Sequence, residues 1–212
     1  NTVQVSISVE SEIAHKTRNS RNVISEIPGY QMNKKVVILG AHYDTTPNTQ
    51  GANDNGSGIA TLFTVISELT DDPLPFTLRI IAFGSEETGL HGSTFYVDSL
   101  SPEERGNILA MLNFDSVGSG DFIEVTGHTD LVGIVDTIAS ADNLKFKTGI
   151  LPQGANSDHY PFEKNGIPTL TFFGNDLSRI NSPEDTIEFV KPDLMGIAAV
   201  LGIGVVETMA NR

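Results

Sequence analysis

The fold is decided by residues Gly40 to Leu62, which read GAHYDTTPNTQGANDNGSGIATL. The apolar run KVVIL comes directly before them and brings His42 and Asp44 to the end of a predicted strand. A loop rich in glycine and asparagine then places Asp54 just ahead of a run with helical periodicity. One imidazole and two carboxylates at a strand exit and a helix entry are typical of a divalent metal site.

Strands and helices are predicted to alternate along the rest of the chain. The predicted strands are Val3 to Val9, Asn22 to Ile27, Lys35 to Ala41, Thr77 to Phe83, Asn107 to Phe114, Asp121 to Thr126 and Pro168 to Phe173. The predicted helices are Gly56 to Leu69, one around Leu90 to Leu100, one starting at Ser101, Leu131 to Ala141, one beginning within Ser157 to Lys164, and Asp193 to Met209. This alternation predicts an α/β fold, a three-layer sandwich in which helices flank a mixed, mostly parallel sheet.

Several details depend on apolar spacing. Asp121 to Thr126 alternates and predicts an edge or half-exposed strand. Leu194 to Val206 is too short to cross a bilayer and predicts a core helix instead. The helix from Gly56 is expected to turn five apolar side chains to the core, namely Ile59, Leu62, Phe63, Ile66 and Leu69.

Composition limits the possible functions. The 212 residues are expected to form one domain, residues 1 to 212, and carry 13 basic against 27 acidic side chains, a net charge of -14. This acidity argues against nucleic acid and anionic membrane surfaces as partners. Without cysteine, thiolate catalysis and Cys-ligated zinc are excluded. The start at Asn1 indicates trimming from a longer chain, and the Ser/Thr/Asn-rich polar sequence favours an extracellular monomer.

Candidate ligands come at the ends of predicted strands. His42, the pair Glu86-Glu87 and Asp115 all do so, and the carboxyl ends of central strands border the ligand crevice of α/β sheets. Because residues two apart on an extended segment point to the same side, the Asp44 carboxylate is expected to accept the imidazole N–H of His42. In Glu86-Glu87, one carboxylate can hold a metal while the other faces a water on it.

Structural explanations exist for the same residues. A His-Asp pair can simply be buried, Asp54 and Asp115 can cap helices or strand ends, and Glu86-Glu87 can be a solvated acidic loop. The chain has no G-x-S-x-G elbow, no P-loop and no EF-hand spacing, so serine, nucleotide and calcium chemistry have weak support. His159 is expected to lie just outside the ligand set.

A set of motifs recurs in a fixed order from about Asn22 to the C-terminus. They are His42-x-Asp44, Asp54-Asn55-Gly56-x-Gly58, Glu86-Glu87-x-Gly89, Asp115, Ser157-Asp158-His159 and Ser182-Pro183-Glu184-Asp185-Thr186. Together they resemble the co-catalytic dizinc aminopeptidases of metallopeptidase family twenty-eight, such as bacterial leucyl aminopeptidases and aminopeptidase Y. The resemblance implies a zinc exopeptidase that removes N-terminal, apolar residues from peptides.

The resemblance also implies roles for single residues. Asp54 would bridge two zinc ions, with His42 and Asp115 completing one site and Glu87 the other. Glu86 would be the general base, Asp44 would orient His42, and Ser157 to His159 would lie near the pocket wall. Apolar lining of the substrate pocket is assigned to Ile180, Tyr160, Phe172 and Phe173, each of which is equally plausible as core.

One position departs from the family pattern. The family has a histidine ligand just before the Ser/Thr-Pro-x-Asp-Thr segment, where this chain has Asn181. An amide oxygen is a weaker zinc ligand than imidazole, so the metal beside Glu87 is expected to bind loosely or not at all. Two alternatives remain: a catalytically impaired binding domain, against which Glu86 stands, and a glutaminyl cyclase-like acyltransferase, which would need the ligand that Asn181 replaces.

Overall fold

A seven-stranded sheet forms the centre of the computed structural model, which describes residues 19–31, 34–71, 73–151 and 155–212. The strands are β1 (Val23–Ile27), β2 (Val36–His42), β3 (Thr77–Phe83), β4 (Ile108–Phe114), β5 (Ile123–Gly127), β6 (Phe146–Thr148) and β7 (Thr169–Gly174). Their order in the sheet is β1-β3-β2-β4-β7-β5-β6. Strands β3, β2, β4 and β7 run parallel, whereas β1 and the β5–β6 pair run antiparallel to them. The predicted mixed, mostly parallel sheet is confirmed.

Helices cover both faces of this sheet. They are α1 (Gly58–Leu69), α2 (His91–Ser99), α3 (Pro102–Asn107), α4 (Thr129–Asp142), α5 (His159–Lys164) and α6 (Pro192–Ala210). Helices α1, α4 and α6 share one apolar cluster with the first face, and α2 and α5 share a second cluster with the opposite face. The three layers follow from these two clusters. Helix α3 begins with the predicted capping box, in which Ser101 and Glu104 exchange hydrogen bonds.

Strand β2 lies at the centre of both clusters. All seven of its residues are buried, as its continuous apolar sequence predicts. Val37 and Leu39 face α1 and α6, whereas Val36 and Ile38 face α2 and α5. A strand covered on both sides in this way is a rigid support for whatever follows its last residue, His42.

Some predicted details are wrong. Strand β5 is half-exposed, which is one of the two predicted alternatives, but it is not at the sheet edge, because the short strand β6, which sequence patterning misses, pairs with its outer side. Phe63 is 68% exposed, and the buried apolar face of α1 is formed by Leu62, Val65 and Leu69. The predicted strand Val3 to Val9 lies outside the described residues.

Helix α6 is longer than its apolar segment suggests. Judged by length and composition alone, this helix of 19 residues is long enough and apolar enough to cross a membrane. One side of the helix, which includes Leu194, Leu201 and Val205, is buried in the cluster that it shares with α1 and α4. This packing is that of a core helix.

Candidate active site

Three neighbouring parallel strands deliver acidic and imidazole side chains to one edge of the sheet. His42 is the last residue of β2, Glu86 and Glu87 follow the end of β3, and Asp115 follows the end of β4. Since β3, β2 and β4 are adjacent and parallel, their carboxyl ends meet. Asp54 comes from the turn before α1 and lies beside them.

The imidazole of His42 organises the centre of the site. Its Nε2 lies 3.2 Å from Asp54 Oδ1 and 3.4 Å from Asp115 Oδ1. Its Nδ1 lies 3.0 Å from the backbone carbonyl oxygen of Asp44, to which Nδ1–H donates. In the neutral ring the Nε2 lone pair therefore faces two carboxylates. The lone pair and the two negative charges repel one another unless a proton or a cation lies between them.

The pKa values in this cluster reflect that repulsion. Burial disfavours the imidazolium, but the charge and hydrogen bond of Asp115 and the hydrogen bond of Asp54 outweigh it and raise the pKa of His42 well above its ordinary value. Burial raises the pKa of Asp54. Burial opposes ionisation of Asp115 as well, but the charge and hydrogen bond of His42 and the Ser157 and Ser116 hydroxyls lower its pKa overall.

The two glutamates add further negative charge. Ligand atoms of His42, Glu86 and Asp115 lie within 4.8 Å of one another, as do those of His42, Asp54 and Glu87. Burial, opposed by the charge of His42, raises the pKa of Glu86 to about 9. Burial and then the charge of Asp54 raise the pKa of Glu87 to about 7. One nitrogen and four carboxylates that converge in this way fit a divalent cation with nitrogen and oxygen ligands.

Asp44 lies in the site but does not pair with His42 as predicted. Its Oδ1 is 3.8 Å from His42 Nδ1, and the imidazole bonds the Asp44 backbone carbonyl instead. The carboxylate accepts the backbone N–H groups of Glu86 at 3.0 Å and Glu87 at 3.3 Å. The prediction fails because β2 ends at His42, so the alternation of an extended strand does not continue to Asp44.

The turn that carries Asp54 is held by side chains on both sides of it. Asn55 donates to the Phe114 carbonyl at 2.9 Å and accepts from the N–H groups of Gly58 and Ser116. Asp54 has non-helical φ and ψ of -108° and 89°, and its side chain makes no capping bond to α1. The alternative explanation of Asp54 as a helix cap is therefore wrong.

A chain of hydrogen bonds supports Asp115 from below. Ser157 Oγ donates to Asp115 Oδ2 at 2.5 Å and accepts from Asn113 Nδ2 at 2.8 Å. Ser157 lines the pocket as predicted, whereas Asp158 and His159 are buried behind it. Burial raises the pKa of Asp158 to about 7 and lowers the pKa of His159. Sequence reasoning does not single out Asn113, since an asparagine inside an apolar strand has no distinctive pattern.

Asn181 lies against Glu87. With its amide nitrogen directed at the acceptors around it, it donates to Glu87 Oε2 at 3.1 Å and to Thr46 Oγ1 at 3.0 Å. Its φ of 59° is in the left-handed region, which asparagine tolerates better than most residues. Thr46, which the sequence does not mark as a site residue, thus shares this amide with the glutamate.

The site opens into a cavity of about 510 Å³. Apolar residues form one part of its wall, and they are Leu90, Leu151, Phe173, Leu177 and Ile180. Phe173 and Ile180 were predicted to lie there. Tyr160 does not line the cavity; it is 40% exposed on α5. Phe172 points to the opposite face of β7, where it stacks on Phe114 in the core. Among the described residues, no lysine or arginine lines the cavity.

Comparison with known proteins agrees with the motifs. Residues 22–203 match Peptidase family M28. The chain is 34% identical over 194 residues to aminopeptidase YwaD of Bacillus subtilis strain 168, an alignment that covers 85% of this chain and 42% of that protein. It is 39% identical over 170 residues to leucine aminopeptidase 2 of Trichophyton equinum, covering 78% of this chain and 31% of that protein.

A solved structure shows the same architecture. BSAP, a zinc aminopeptidase from Bacillus subtilis, matches with a TM-score of 0.81 and 30% sequence identity over 89% of this chain and 49% of that chain. The present chain spans less than half the length of each of these relatives. From the family match over residues 22–203 and the identity to these relatives, we conclude that the chain belongs to peptidase family M28.

Proposed function

We propose that this chain is the catalytic domain of a zinc-dependent aminopeptidase. The observation that carries the proposal is the convergence of His42 Nε2, Asp54 and Asp115, with Glu86 beside them. His42, Asp54 and Asp115 would hold a zinc ion, with Glu87 on the other flank of Asp54. When bound, zinc polarises the scissile carbonyl and activates water near neutral pH.

Glu86 is the general base in this proposal. Its carboxylate lies in the same cluster as His42 and Asp115 and accepts no hydrogen bond from another side chain among the described residues. It takes a proton from the attacking water and passes it to the leaving amine. Asp44 fixes the backbone of Glu86 and so aims the base.

The charge of the cavity supports cleavage from the amino end. An aminopeptidase must accept the free amino group of its substrate, and no lysine or arginine of the described residues lines the cavity to repel that group when it is protonated. A carboxypeptidase must instead bind the terminal carboxylate, for which no lysine or arginine of the described residues is available in the lining. The apolar wall that includes Phe173 and Ile180 suits an apolar side chain at the N-terminal residue.

The contacts of Asn181 favour one tightly bound zinc ion and one weakly bound zinc ion. The pair formed by its amide nitrogen and Glu87 presents a donor where a metal ligand would be needed. The same observation favours the second candidate function, an impaired binding domain on this fold. Metal content separates the two, since an enzyme of this kind retains about one zinc after dialysis and a pure binding domain retains none.

The wider setting of the chain is part of the proposal. We infer an extracellular monomer in which residues 1–212 form one domain, because of the polar Ser/Thr/Asn-rich sequence and the net charge of -14. Analytical ultracentrifugation of the purified chain tests the monomer, and a sedimentation coefficient typical of a dimer would contradict it. Recovery of the protein from washed cells instead of the medium would contradict export.

Hydrolysis of leucine p-nitroanilide by the zinc-loaded chain is the direct test. We expect release of nitroaniline from the free amine and none from the N-acetylated substrate, whose amine is blocked. Chelation should abolish the rate, and zinc should restore it. A chain that binds zinc yet fails to turn over the free amine, even after Asn181→His, would overturn the proposal.

A further inference from the structure

Asp185, a buried carboxylate outside the ligand set, accepts hydrogen bonds from the backbone around Asp54. It is 1% exposed. Its Oδ1 accepts the N–H of Asn53 at 2.7 Å, and its Oδ2 accepts the N–H of Asp54 at 2.9 Å. The two oxygens thus accept hydrogen bonds from two successive peptide groups. This pair of bonds fixes the rotation as well as the position of the Asn53–Asp54 segment.

Asp185 has no cationic partner in the described part of the chain that would explain the burial of its carboxylate. None of the described residues supplies a lysine, arginine or histidine that pairs with it. A buried carboxylate without a cation costs free energy, which only well-made hydrogen bonds offset. Here those bonds go to a turn that lacks the regular hydrogen bonds of a helix, because Asp54 has non-helical φ and ψ.

The segment that carries Asp185 also reaches the other flank of the site. Asn181, four residues earlier, lies against Glu87, and Ile180 lines the cavity. A further bond runs from the Ala52 N–H to the Asp185 carbonyl at 3.5 Å. Residues 180–185 therefore contact the Asp54 turn and Glu87 at once and set the spacing between them.

We propose that Asp185 is a positioning residue for the cation site, which holds the carboxylate of Asp54 against His42 and Asp115. The inference rests on the zinc site of the proposed function. Asp185 acts in two ways. Its two hydrogen bonds fix the orientation of the Asp54 backbone, and its negative charge adds to the electrostatic field that a dication neutralises. Asp185→Asn removes the charge and one of the two accepted hydrogen bonds, because its amide nitrogen would face an N–H donor.

Zinc affinity tests this role without relying on turnover. Zinc binding to the metal-free 212-residue chain would be measured by competition with a chromophoric chelator for wild type, Asp185→Asn and Glu184→Gln. The control Glu184→Gln removes the same charge from the exposed neighbouring residue. We expect the zinc dissociation constant of Asp185→Asn to rise about 10–100-fold, and that of Glu184→Gln to stay within about twofold.

Two further readouts separate positioning from a merely structural role. With zinc at saturation, Asp185→Asn should recover most of its kcat, and Asp185→Glu, which keeps the charge, should bind zinc more tightly than Asp185→Asn. If Asp185→Asn does not fold, Asp185→Ser takes its place, and a zinc dissociation constant equal to that of wild type in the folded variant overturns the inference. Equal zinc affinity in wild type and a folded Asp185→Asn also overturns it and leaves the proposed function intact. Absence of zinc binding in wild type overturns both.

Discussion

The carboxylate of Asp44 accepts the backbone N–H of Glu86 at 3.0 Å, and its second oxygen accepts the N–H of Glu87 at 3.3 Å. The end of β2 is thereby tied to the end of β3 through one side chain. Since His42 also bonds the carbonyl of Asp44, the imidazole and both glutamates take their positions from a single residue. Asp44 is a positioning residue twice over, once through its backbone and once through its carboxylate.

Asp44→Asn should therefore loosen the glutamates while sparing the His42 contact. An asparagine side chain keeps one acceptor oxygen, and its NH2 group would face a backbone N–H. We expect a loss of about 10–100-fold in kcat/KM for an aminoacyl anilide, at unchanged unfolding temperature within a few degrees. Asp136→Asn, on the exposed side of α4, serves as the matched control. Full activity in Asp44→Asn would contradict the role of the carboxylate.

Glu86→Gln removes the proposed base without changing the size of the side chain. The kcat should fall by about 10²–10⁴-fold, because glutamine cannot accept and return a proton. Zinc retained after dialysis, measured by mass spectrometry, should stay at the wild-type level. A variant that keeps its rate would show that another group moves the proton.

Asn181→His should add a ligand beside Glu87. An imidazole nitrogen there replaces the amide that donates to the Glu87 carboxylate, so zinc retained after dialysis should rise from about one to about two equivalents. Asn143→His is the matched control, since Asn143 is also exposed with φ in the left-handed region but lies at the end of α4. An unchanged zinc count in Asn181→His would mean that position 181 does not reach the metal.

The metal-free chain should lose stability as pH rises. Glu86 and Glu87 have pKa values raised to about 9 and about 7, and the pKa of Asp158 is raised to about 7, each chiefly by burial. Between about pH 4.5 and 9 the folded state therefore binds more protons than the unfolded state, and the free energy of unfolding falls with pH. The raised pKa of His42 acts in the same direction above its unfolded value.

Calorimetry at pH 5 and pH 8 measures this effect. The unfolding temperature without metal should be lower at pH 8, and Glu86→Gln should reduce the difference because its side chain does not titrate. Zinc should stabilise the chain more at pH 8 than at pH 5, since fewer protons have to be displaced from the ligands. An unfolding temperature that rises from pH 5 to pH 8 in the absence of metal would contradict the prediction.

Gly58 and Gly133 predict opposite effects of the same substitution. A Cβ at Gly58 would overlap the side-chain oxygen of Asn55 and the carbonyl oxygen of Phe114, so Gly58→Ala should destabilise the chain by about 1–3 kcal/mol and disturb the Asp54 turn. At Gly133, within α4, a Cβ meets nothing within 4 Å, and Gly133→Ala should stabilise by about 0.5–1 kcal/mol. Urea unfolding measures both. Equal effects would refute the close packing around Gly58.

The convergence of the candidate ligands can be predicted from the sequence because these side chains mark the ends of strong elements. His42, Glu86-Glu87 and Asp115 follow apolar strands, and the topology of parallel strands then brings them together. Sequence patterns fail where a contact depends on loop geometry. The pairing of Asp44 is of this kind, whereas the position of Tyr160 depends on the rotation of α5. The hydrogen bonds from Asp185 to a turn far away in the chain carry no local signal.

The burial of short or rotated elements is equally hard to predict. Strand β6 has three residues and little apolar content, so it is visible only through its pairing with β5. Phe63 is apolar and close to the core spacing, yet packing of α1 turns it to solvent. Hydrophobic periodicity gives the existence of a face, whereas the sheet decides its rotation.

The position of β7 has a consequence for how this protein is made. Although β7 is the last strand along the chain, it lies in the sheet between β4 and β5, and the Phe172 carbonyl accepts the N–H of Asp115 at 3.0 Å. A ribosome-bound chain thus carries every carboxylate of the cluster long before the strand that supports one of them emerges. Until then the unpaired side of β4 is open to other nascent chains. Binding by holdase chaperones during that interval is therefore expected to raise the soluble yield.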